Sequence, residues 1–245
     1  MSAQSSTLIL GGVGGIGEAL ARRLVAKGER VVVTSRSLDR ATALANSIGA
    51  APAFVDIADE ASLAAAVQVA ADGGKLSGLV YAIGTIGLKP LARTSAADML
   101  DAYRVNVVGA MLAVRAATAA LQVAEGSVVL FSSIAARQGF ANHTAIGAAK
   151  AGVEGLTLTL AAELAPKVRV NAIAPSLTDT PLASSMVSNP RMAEAIAALH
   201  PLPRLGNADE VAAAAQFLLS RDAGWITGQI LGIDGGRASL RTGRS

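Results

Sequence analysis

The sequence predicts an α/β fold in which helices cover both faces of one parallel β-sheet. Short runs rich in β-branched residues alternate with Ala-rich helical stretches along all 245 residues. Most of these runs are almost entirely apolar, which is typical of strands covered on both faces. No Pro-rich or Gly-rich linker divides the chain, so we predict one domain over residues 1–245.

The alternation predicts seven strands in βαβ units, and therefore a seven-stranded parallel sheet. The predicted strands are Thr7–Leu10, Arg30–Thr34, Pro52–Val55, Ser77–Tyr81, Ser127–Phe131, Val168–Ile173 and Gln229–Ile233. The predicted helices are Gly17–Lys27, Leu38–Ser47, Glu60–Ala71, Ser95–Ala124, His143–Leu164 and Ala208–Leu219. Asp59 with Ser62, and Asn207 with Glu210, are typical helix-start pairs.

Residues 176–203 form the irregular part of the chain. Prolines surround one short helical stretch, Arg191–Leu199. The segment is either a substrate loop that closes over a site as a lid or a plain surface excursion, and the sequence leaves both interpretations open.

Composition and charge exclude several classes of protein. The chain has no cysteine, so it has neither disulfides nor thiolate metal sites. The net charge is only +3. The densest group of basic residues consists of Arg237, Arg241 and Arg244, and we interpret it as a solvated C-terminus and not as a nucleic-acid patch. The longest stretch without charged residues, Met1–Gly17, contains five glycines and resembles neither a membrane span nor a signal peptide. We therefore expect a cytoplasmic protein with no nucleic-acid or membrane partner.

A glycine-rich loop follows the first predicted strand and opens the first helix. It runs from Gly11 to Gly17 and contains five glycines. Glycines at this place let backbone N–H groups approach a pyrophosphate, and the helix N-terminus adds a favourable partial charge. The loop therefore predicts a dinucleotide site.

At this loop the chain resembles the short-chain dehydrogenase/reductase family. Gly11, Gly15 and Gly17 match the family pattern Thr-Gly-x-x-x-Gly-x-Gly, although Leu10 stands where threonine is usual. Further matches follow in the family's order: Asp56, Asn106, Phe131-Ser132-Ser133, Asn171–Pro175, and Gly228–Gly236. The resemblance covers almost the whole chain. It implies a Rossmann-type fold, a nicotinamide cofactor, a small-molecule substrate, and a homotetramer or homodimer built on the two longest helices and the last strand.

The resemblance also implies a set of cofactor-binding residues. They are Gly11, Gly15, Ile16, Gly17, Ser35, Arg36, Asp56, Ile57, Ala82, Gly84, Lys150, Pro175 and Thr180. An NAD site places a carboxylate after the second strand, where this chain has Ser35 and Arg36. A guanidinium can pair with the 2′-phosphate of NADP, so we predict NADP(H) in preference to NAD(H). The alternative is an Arg36 that points only to solvent.

The family's catalytic pattern is incomplete in this sequence. The family combines a serine, an asparagine and a Tyr-x-x-x-Lys motif, in which the tyrosine donates a proton. Here Ser133, Asn106 and Lys150 match, but Ile146 stands four positions before Lys150. Ser133 lies thirteen residues before Ile146, which is the family's serine-to-tyrosine spacing, so the alignment is consistent from both sides. Isoleucine carries no proton to donate.

Three interpretations of this gap remain open. In the first, His143 donates the proton, because imidazole exchanges protons near neutral pH; its seven-residue separation from Lys150 resembles the divergent enoyl-reductase branch. Otherwise His143 is only a polar residue at a helix start. In the second, reduction of an activated C=C or C=N bond takes its proton from water. In the third, the protein binds NADP without catalysis, as a sensor or a silent subunit.

Other aromatic and acidic residues are assigned structural roles. Tyr81 is expected to pack at a strand end, although facing the cofactor is an alternative, and Tyr103 is a weaker donor candidate. Trp225 is expected in the core or in a subunit contact. Asp179, Glu163 and His200 show no metal-ligand pattern, so no metal site is predicted.

Overall fold

A seven-stranded parallel sheet lies at the centre of the protein in a computed structural model that describes residues 5–71 and 73–242. Its strands are β1 Ser6–Leu10, β2 Arg30–Ser35, β3 Ala51–Phe54, β4 Gly78–Tyr81, β5 Ser127–Phe131, β6 Arg169–Pro175 and, after two short strands, β9 Ile230–Ile233. The short strands, β7 Thr178–Asp179 and β8 Gly206–Asn207, pair with each other. The sheet order is β3-β2-β1-β4-β5-β6-β9, and every pairing is parallel. The predicted sheet is confirmed.

Helices connect the strands and cover both faces of the sheet. They are α1 Gly15–Ala26, α2 Leu38–Ile48, α3 Glu60–Ala70, α4 Ala96–Tyr103, α5 Gly109–Ala124, α6 Thr144–Leu164, α7 Ser184–Val187, α8 Pro190–Ala197 and α9 Ala208–Leu219. At two of these helices, α3 and α9, the predicted start residues form N-terminal caps as expected. Asp59 accepts from the backbone N–H of Ala61, and Asn207 and Glu210 form a reciprocal capping box.

The core is aliphatic and has two halves because successive strand residues point to opposite faces. On β1, Leu8 and Leu10 pack into one half with α3, α5 and α6, and Ile9 packs into the other with α1 and α9. All three side chains are at most 1% exposed. This double burial explains why the strand sequences are continuous apolar runs.

The predicted helix Ser95–Ala124 is interrupted. A five-residue π-helical turn, Arg104–Val108, separates α4 from α5. The Tyr81 hydroxyl donates a 2.6 Å hydrogen bond to the Val105 carbonyl in this turn, and burial raises the pKa of the Tyr81 phenol. Tyr81 is therefore a packed strand-end aromatic, as expected, and it binds the backbone where the helix deviates.

The continuous stretch Ala96–Ala124 is long and apolar enough, by composition alone, to cross a membrane. One side of α5 is buried in the core. The buried residues of α5 are Gly109, Ala110, Ala113, Val114, Ala117 and Leu121. These residues place one side of α5 in the aliphatic core.

Candidate active site

The glycine loop between β1 and α1 forms a tight cradle. A Cβ atom at Gly12 would lie 2.7 Å from Cβ of Val33, and one at Gly17 would lie 2.4 Å from the Gly11 carbonyl oxygen. Gly11 itself has a φ of +81°, which favours glycine. Helix α1 begins directly after Gly14, which supplies no side-chain cap, so its first N–H groups are left for a ligand. These features fit a dinucleotide pyrophosphate.

Gly15 places the loop against the segment that follows β6. A Cβ atom there would lie 2.9 Å from Cγ2 of Thr180. Thr180 and Ile16 also line the main cavity of the site. The glycine loop and residues 176–203 therefore share one boundary of the cavity, as the predicted role of Thr180 in cofactor binding requires.

The other predicted adenosine-side residues lie at the carboxyl ends of β2 and β3. Ser35 ends β2 and accepts from the Ser37 N–H, whereas Arg36 is exposed. Asp56 follows β3, and its carboxylate accepts from the Ala58 N–H. Ile57 packs on the core near Gly109, with its Cδ1 3.3 Å from where a Gly109 Cβ atom would lie. None of these four lines the main cavity, which lies beyond the strand ends on the β4–β6 side.

The main cavity has a volume of about 280 Å³ and a largely apolar lining. It contains eight of the predicted site residues: Ile16, Ala82, Gly84, Ser133, His143, Lys150, Pro175 and Thr180. Aliphatic side chains such as Ile83, Ile134 and Leu177 fill most of the remaining wall. A small apolar cavity with a few convergent polar groups is typical of a substrate site.

The side chains of Lys150 and Asn106 both lie next to Gly84. A Cβ atom at Gly84 would lie 3.2 Å from Oδ1 of Asn106 and 3.4 Å from Nζ of Lys150. The Lys150 ammonium donates to the Phe131 carbonyl at 2.8 Å, and burial lowers the pKa of Lys150 to about 8. The Asn106 amide nitrogen donates to the Ala102 carbonyl, but Oδ1 is buried without a partner among the described residues. An unpaired buried acceptor here fits a bound ligand or water with a donor group.

Two adjacent serines at the end of β5 have separate tasks. Ser132 donates toward the carbonyl of Lys150 and the carboxylate of Glu154, so it joins β5 to α6. Ser133 accepts from the Ala135 N–H, and its hydroxyl hydrogen has no acceptor within the described part of the chain. Ser133 is therefore the serine that can donate to a substrate oxygen.

Ile146 occupies the cavity wall where the family motif places tyrosine. It is 5% exposed and lies one helical turn from Lys150 on α6. His143 lines the same cavity from the residue that precedes α6. Its Nδ1 lies 2.7 Å from the Ala141 carbonyl oxygen, so Nδ1 carries the proton in neutral imidazole. Nε2 makes no hydrogen bond to any described residue and remains free for proton exchange.

Residues 176–203 form one wall of the cavity. Side chains from Leu177, Thr178, Leu182, Met186 and Ile196 line it. The segment contains β7 and the short helices α7 and α8, and its start is anchored by the pairing of β7 with β8. The segment therefore contributes one wall of the cavity, and the substrate-loop assignment stays a prediction.

One expectation about the C-terminal part of the chain is wrong. Arg237 is not part of a solvated tail, because it is partly buried and lines the main cavity. Arg241 is exposed, and Arg244 lies outside the described residues. Of the two places expected for Trp225, the core is excluded because the side chain is fully exposed, and a subunit contact stays a prediction.

The sequence reasoning also missed the polar pair of Ser176 and His200. His200 is 5% exposed, and its Nε2 lies 2.8 Å from Oγ of Ser176 on the cavity wall. Ser176 directly follows the family match Asn171–Pro175, and this position was the one available signal. His200 and Arg237 are far from Ser176 in the sequence, and no motif connects the three residues.

The comparisons with known proteins agree with this geometry. The family model described as enoyl-(acyl carrier protein) reductase matches residues 12–238. A D-threitol dehydrogenase of Mycolicibacterium smegmatis is 37% identical over 237 residues, which are 94% of this chain and 91% of that protein. The chain belongs to the short-chain dehydrogenase/reductase family.

Solved structures of short-chain dehydrogenases/reductases share the whole fold. A short-chain type dehydrogenase/reductase from Mycobacterium ulcerans superposes with a TM-score of 0.91 at 32% identity, covering 98% of this chain and 92% of that one. ElxO, solved with NADP bound, gives a TM-score of 0.89 at 30% identity and covers 97% of this chain and 100% of its own. The protein is thus a Rossmann-type oxidoreductase whose cofactor is a nicotinamide dinucleotide.

Proposed function

We propose that this short-chain dehydrogenase/reductase uses NADPH to reduce a small, mainly apolar carbonyl, enone or imine compound, with His143 as proton donor. The observation that carries the proposal is the common cavity of Ser133, His143 and Lys150, in which Ile146 takes the place of the phenol. The apolar lining favours a substrate with few hydroxyl groups, because polar groups without partners are costly to bury.

The nicotinamide, when bound, supplies the hydride that reaches the substrate carbon. The Ser133 hydroxyl donates a hydrogen bond to the substrate oxygen and polarises the double bond. Protonated His143 releases the Nε2 proton to that oxygen, or to the nitrogen of an imine, while its Nδ1–H stays on the Ala141 carbonyl. Lys150 and the unpaired Asn106 Oδ1 lie together beside Gly84, where they would bind the cofactor's ribose and an ordered water.

The donor assignment is tested by His143→Ala and His143→Gln in NADPH-consumption assays with a panel of ketones, enones and imines. General acid catalysis contributes about 10²–10⁴-fold, so kcat should fall by that factor while NADPH binding is unchanged. Undiminished activity in both variants would exclude His143. A wild-type protein that binds NADPH but reduces nothing would instead favour the silent NADP-binding function, which the replacement of tyrosine by Ile146 also suggests.

The proposed preference for NADP rests on Arg36. Its side chain is exposed just after β2 and forms no ion pair with another described residue, so it is available for the 2′-phosphate. An ElxO structure with NADP bound supports the same choice. Arg36→Ala should weaken NADPH binding about 10–100-fold and leave NADH binding unchanged. The exposed Arg40 provides a matched control, since Arg40→Ala should change neither. Equal losses for both cofactors would contradict the assignment.

We also propose a homotetramer or homodimer. Large apolar side chains are exposed on the elements expected at the interfaces, including Leu100, Val108, Leu158, Leu231 and, just before β9, Trp225. Sedimentation or light scattering should give a multiple of the 24.5 kDa chain. A monomer at micromolar concentration would contradict the proposal.

A further inference from the structure

Ser176, His200 and Arg237 form a connected polar group at the cavity. The Arg237 Nη1 donates toward Ser176 Oγ at 3.5 Å, and Ser176 Oγ lies 2.8 Å from His200 Nε2. The His200 Nδ1 lies 2.9 Å from the Ile196 carbonyl, so in the neutral ring Nδ1 donates and Nε2 accepts the Ser176 hydroxyl proton. The hydrogen-bonding capacity of Ser176 is thereby used within the group, and Arg237 retains free donors.

Arg237 is held in position from three sides. The Gln138 amide nitrogen donates to the Arg237 carbonyl at 3.2 Å, and the Arg237 N–H donates to the Asp234 carbonyl at 3.1 Å. The guanidinium carbon lies 5.0 Å from the centre of the Phe140 ring, a cation–π arrangement. The side chain therefore enters the cavity as part of an ordered turn.

The guanidinium of Arg237 has no counter-charge among the described residues. In residues 5–71 and 73–242, no carboxylate forms an ion pair with it, and its Nε and Nη2 atoms make no hydrogen bond. Burial lowers the pKa of Arg237 from its ordinary value because the charged form loses water. A partly buried cation without a partner is costly, and an anion in the cavity would offset that cost.

We infer that Arg237 binds a carboxylate group of the substrate, so that the substrate is an organic acid with an apolar hydrocarbon part. The free Nε and Nη2 atoms form one planar edge of the guanidinium, which matches the two oxygens of a carboxylate. Apolar side chains such as Ile134 and Leu177 would contact the hydrocarbon part. This inference rests on the proposed function for the reaction itself, but the binding subsite can be tested separately.

The test compares cyclohexanecarboxylate with cyclohexanecarboxamide, two probes that differ mainly in charge. Their dissociation constants are measured by ligand-observed NMR, with and without NADPH, for wild type, Arg237→Met, Arg237→Lys and Arg241→Met. Wild type should bind the acid about 10–100-fold more tightly than the amide. Arg237→Met should abolish this preference, and Arg237→Lys should keep only part of it, because lysine preserves the charge without the planar edge. Arg241→Met should behave as wild type, since Arg241 is exposed.

The outcomes separate this inference from the proposed reaction. Equal binding of acid and amide to wild type, or a preference that survives in folded Arg237→Met, would overturn the carboxylate subsite. If Arg237→Met does not fold, an Arg237→Lys variant as selective as wild type would overturn it. If wild type does not bind NADPH but still prefers the acid to the amide, the proposed reaction is refuted and the carboxylate subsite is supported. If wild type reduces 4-oxocyclohexanecarboxylate and its methyl ester with equal kcat/KM, the carboxylate subsite is refuted and the proposed reaction is supported.

Discussion

Restoring a phenol at position 146 should restore a proton donor to this site. Ile146 lines the cavity together with Ser133 and Lys150, and it lies one turn before Lys150 on α6, so both side chains share one helix face. The perturbation is Ile146→Tyr introduced into the His143→Ala variant, which removes the donor proposed for the native protein. The nearby Lys150 charge would stabilise the phenolate that remains after proton transfer.

The expected gain follows from the position of the hydroxyl group. A correctly placed general acid accelerates proton transfer about 10²–10⁴-fold, which corresponds to about 3–5 kcal/mol of barrier. Ile146 is only 5% exposed, so the aromatic ring of tyrosine, which is larger than the isoleucine side chain, should cost about 1–3 kcal/mol of stability. The cost should be smaller where the ring extends into the 280 Å³ cavity. Ile146→Phe imposes nearly the same packing change without the hydroxyl.

The assay is NADPH-dependent reduction of a ketone panel by three proteins: His143→Ala alone, and His143→Ala combined with Ile146→Tyr or with Ile146→Phe. Only the tyrosine variant should recover activity, and thermal unfolding should show that it and the phenylalanine variant are equally stable within about 1 kcal/mol. Equal ketone activity of these two folded variants would refute the assignment of position 146 to the proton-donor site.

Three further predictions concern stability and the cofactor cradle. Between pH 8 and 10.5, Lys150 is neutral in the folded protein but still protonated in the unfolded chain. The free energy of unfolding of wild type should therefore rise over this pH range by on the order of 3 kcal/mol relative to that of Lys150→Met, measured by urea unfolding. A pH-independent difference between the two proteins would contradict this. Tyr81→Phe removes the hydrogen bond that the buried hydroxyl donates to the Val105 carbonyl and should cost about 0.5–1.5 kcal/mol, whereas Tyr103→Phe, which loses no hydrogen bond among the described residues, should cost little. Gly17→Ala should abolish NADPH binding because its Cβ atom would meet the Gly11 carbonyl, whereas Gly155→Ala on open α6 should bind normally.

Much of the fold follows from local pattern. The apolar runs predict the seven strands to within about two residues at each end, because strands buried on both faces contain few polar residues. The π-helical turn at Arg104–Val108 was not predictable in this way. The turn lies where the Tyr81 hydroxyl, on a strand 24 residues earlier in the chain, donates to the Val105 carbonyl.

Some residues of the candidate active site could likewise be predicted from local sequence motifs, and others could not. The glycine loop, Ser133 and Lys150 belong to short motifs with characteristic spacing, so their approach to one cavity was foreseeable. Arg237 was misjudged because a basic residue near a C-terminus usually faces solvent. Its burial results from a turn held by Gln138 and Asp234 and from the Phe140 ring, contacts that bring together residues about 100 positions apart.

The sequence by itself determined the α/β class, the dinucleotide loop and the absence of tyrosine at position 146, because each depends on residue type within a short stretch. Only the tertiary structure decided which polar groups share the cavity. It brings His143, Ser176 and Arg237 to one apolar cavity and leaves a guanidinium without an anion among the described residues. The physical reason is that chain folding sets both burial and the pairing of charges, and neither is encoded within a single segment.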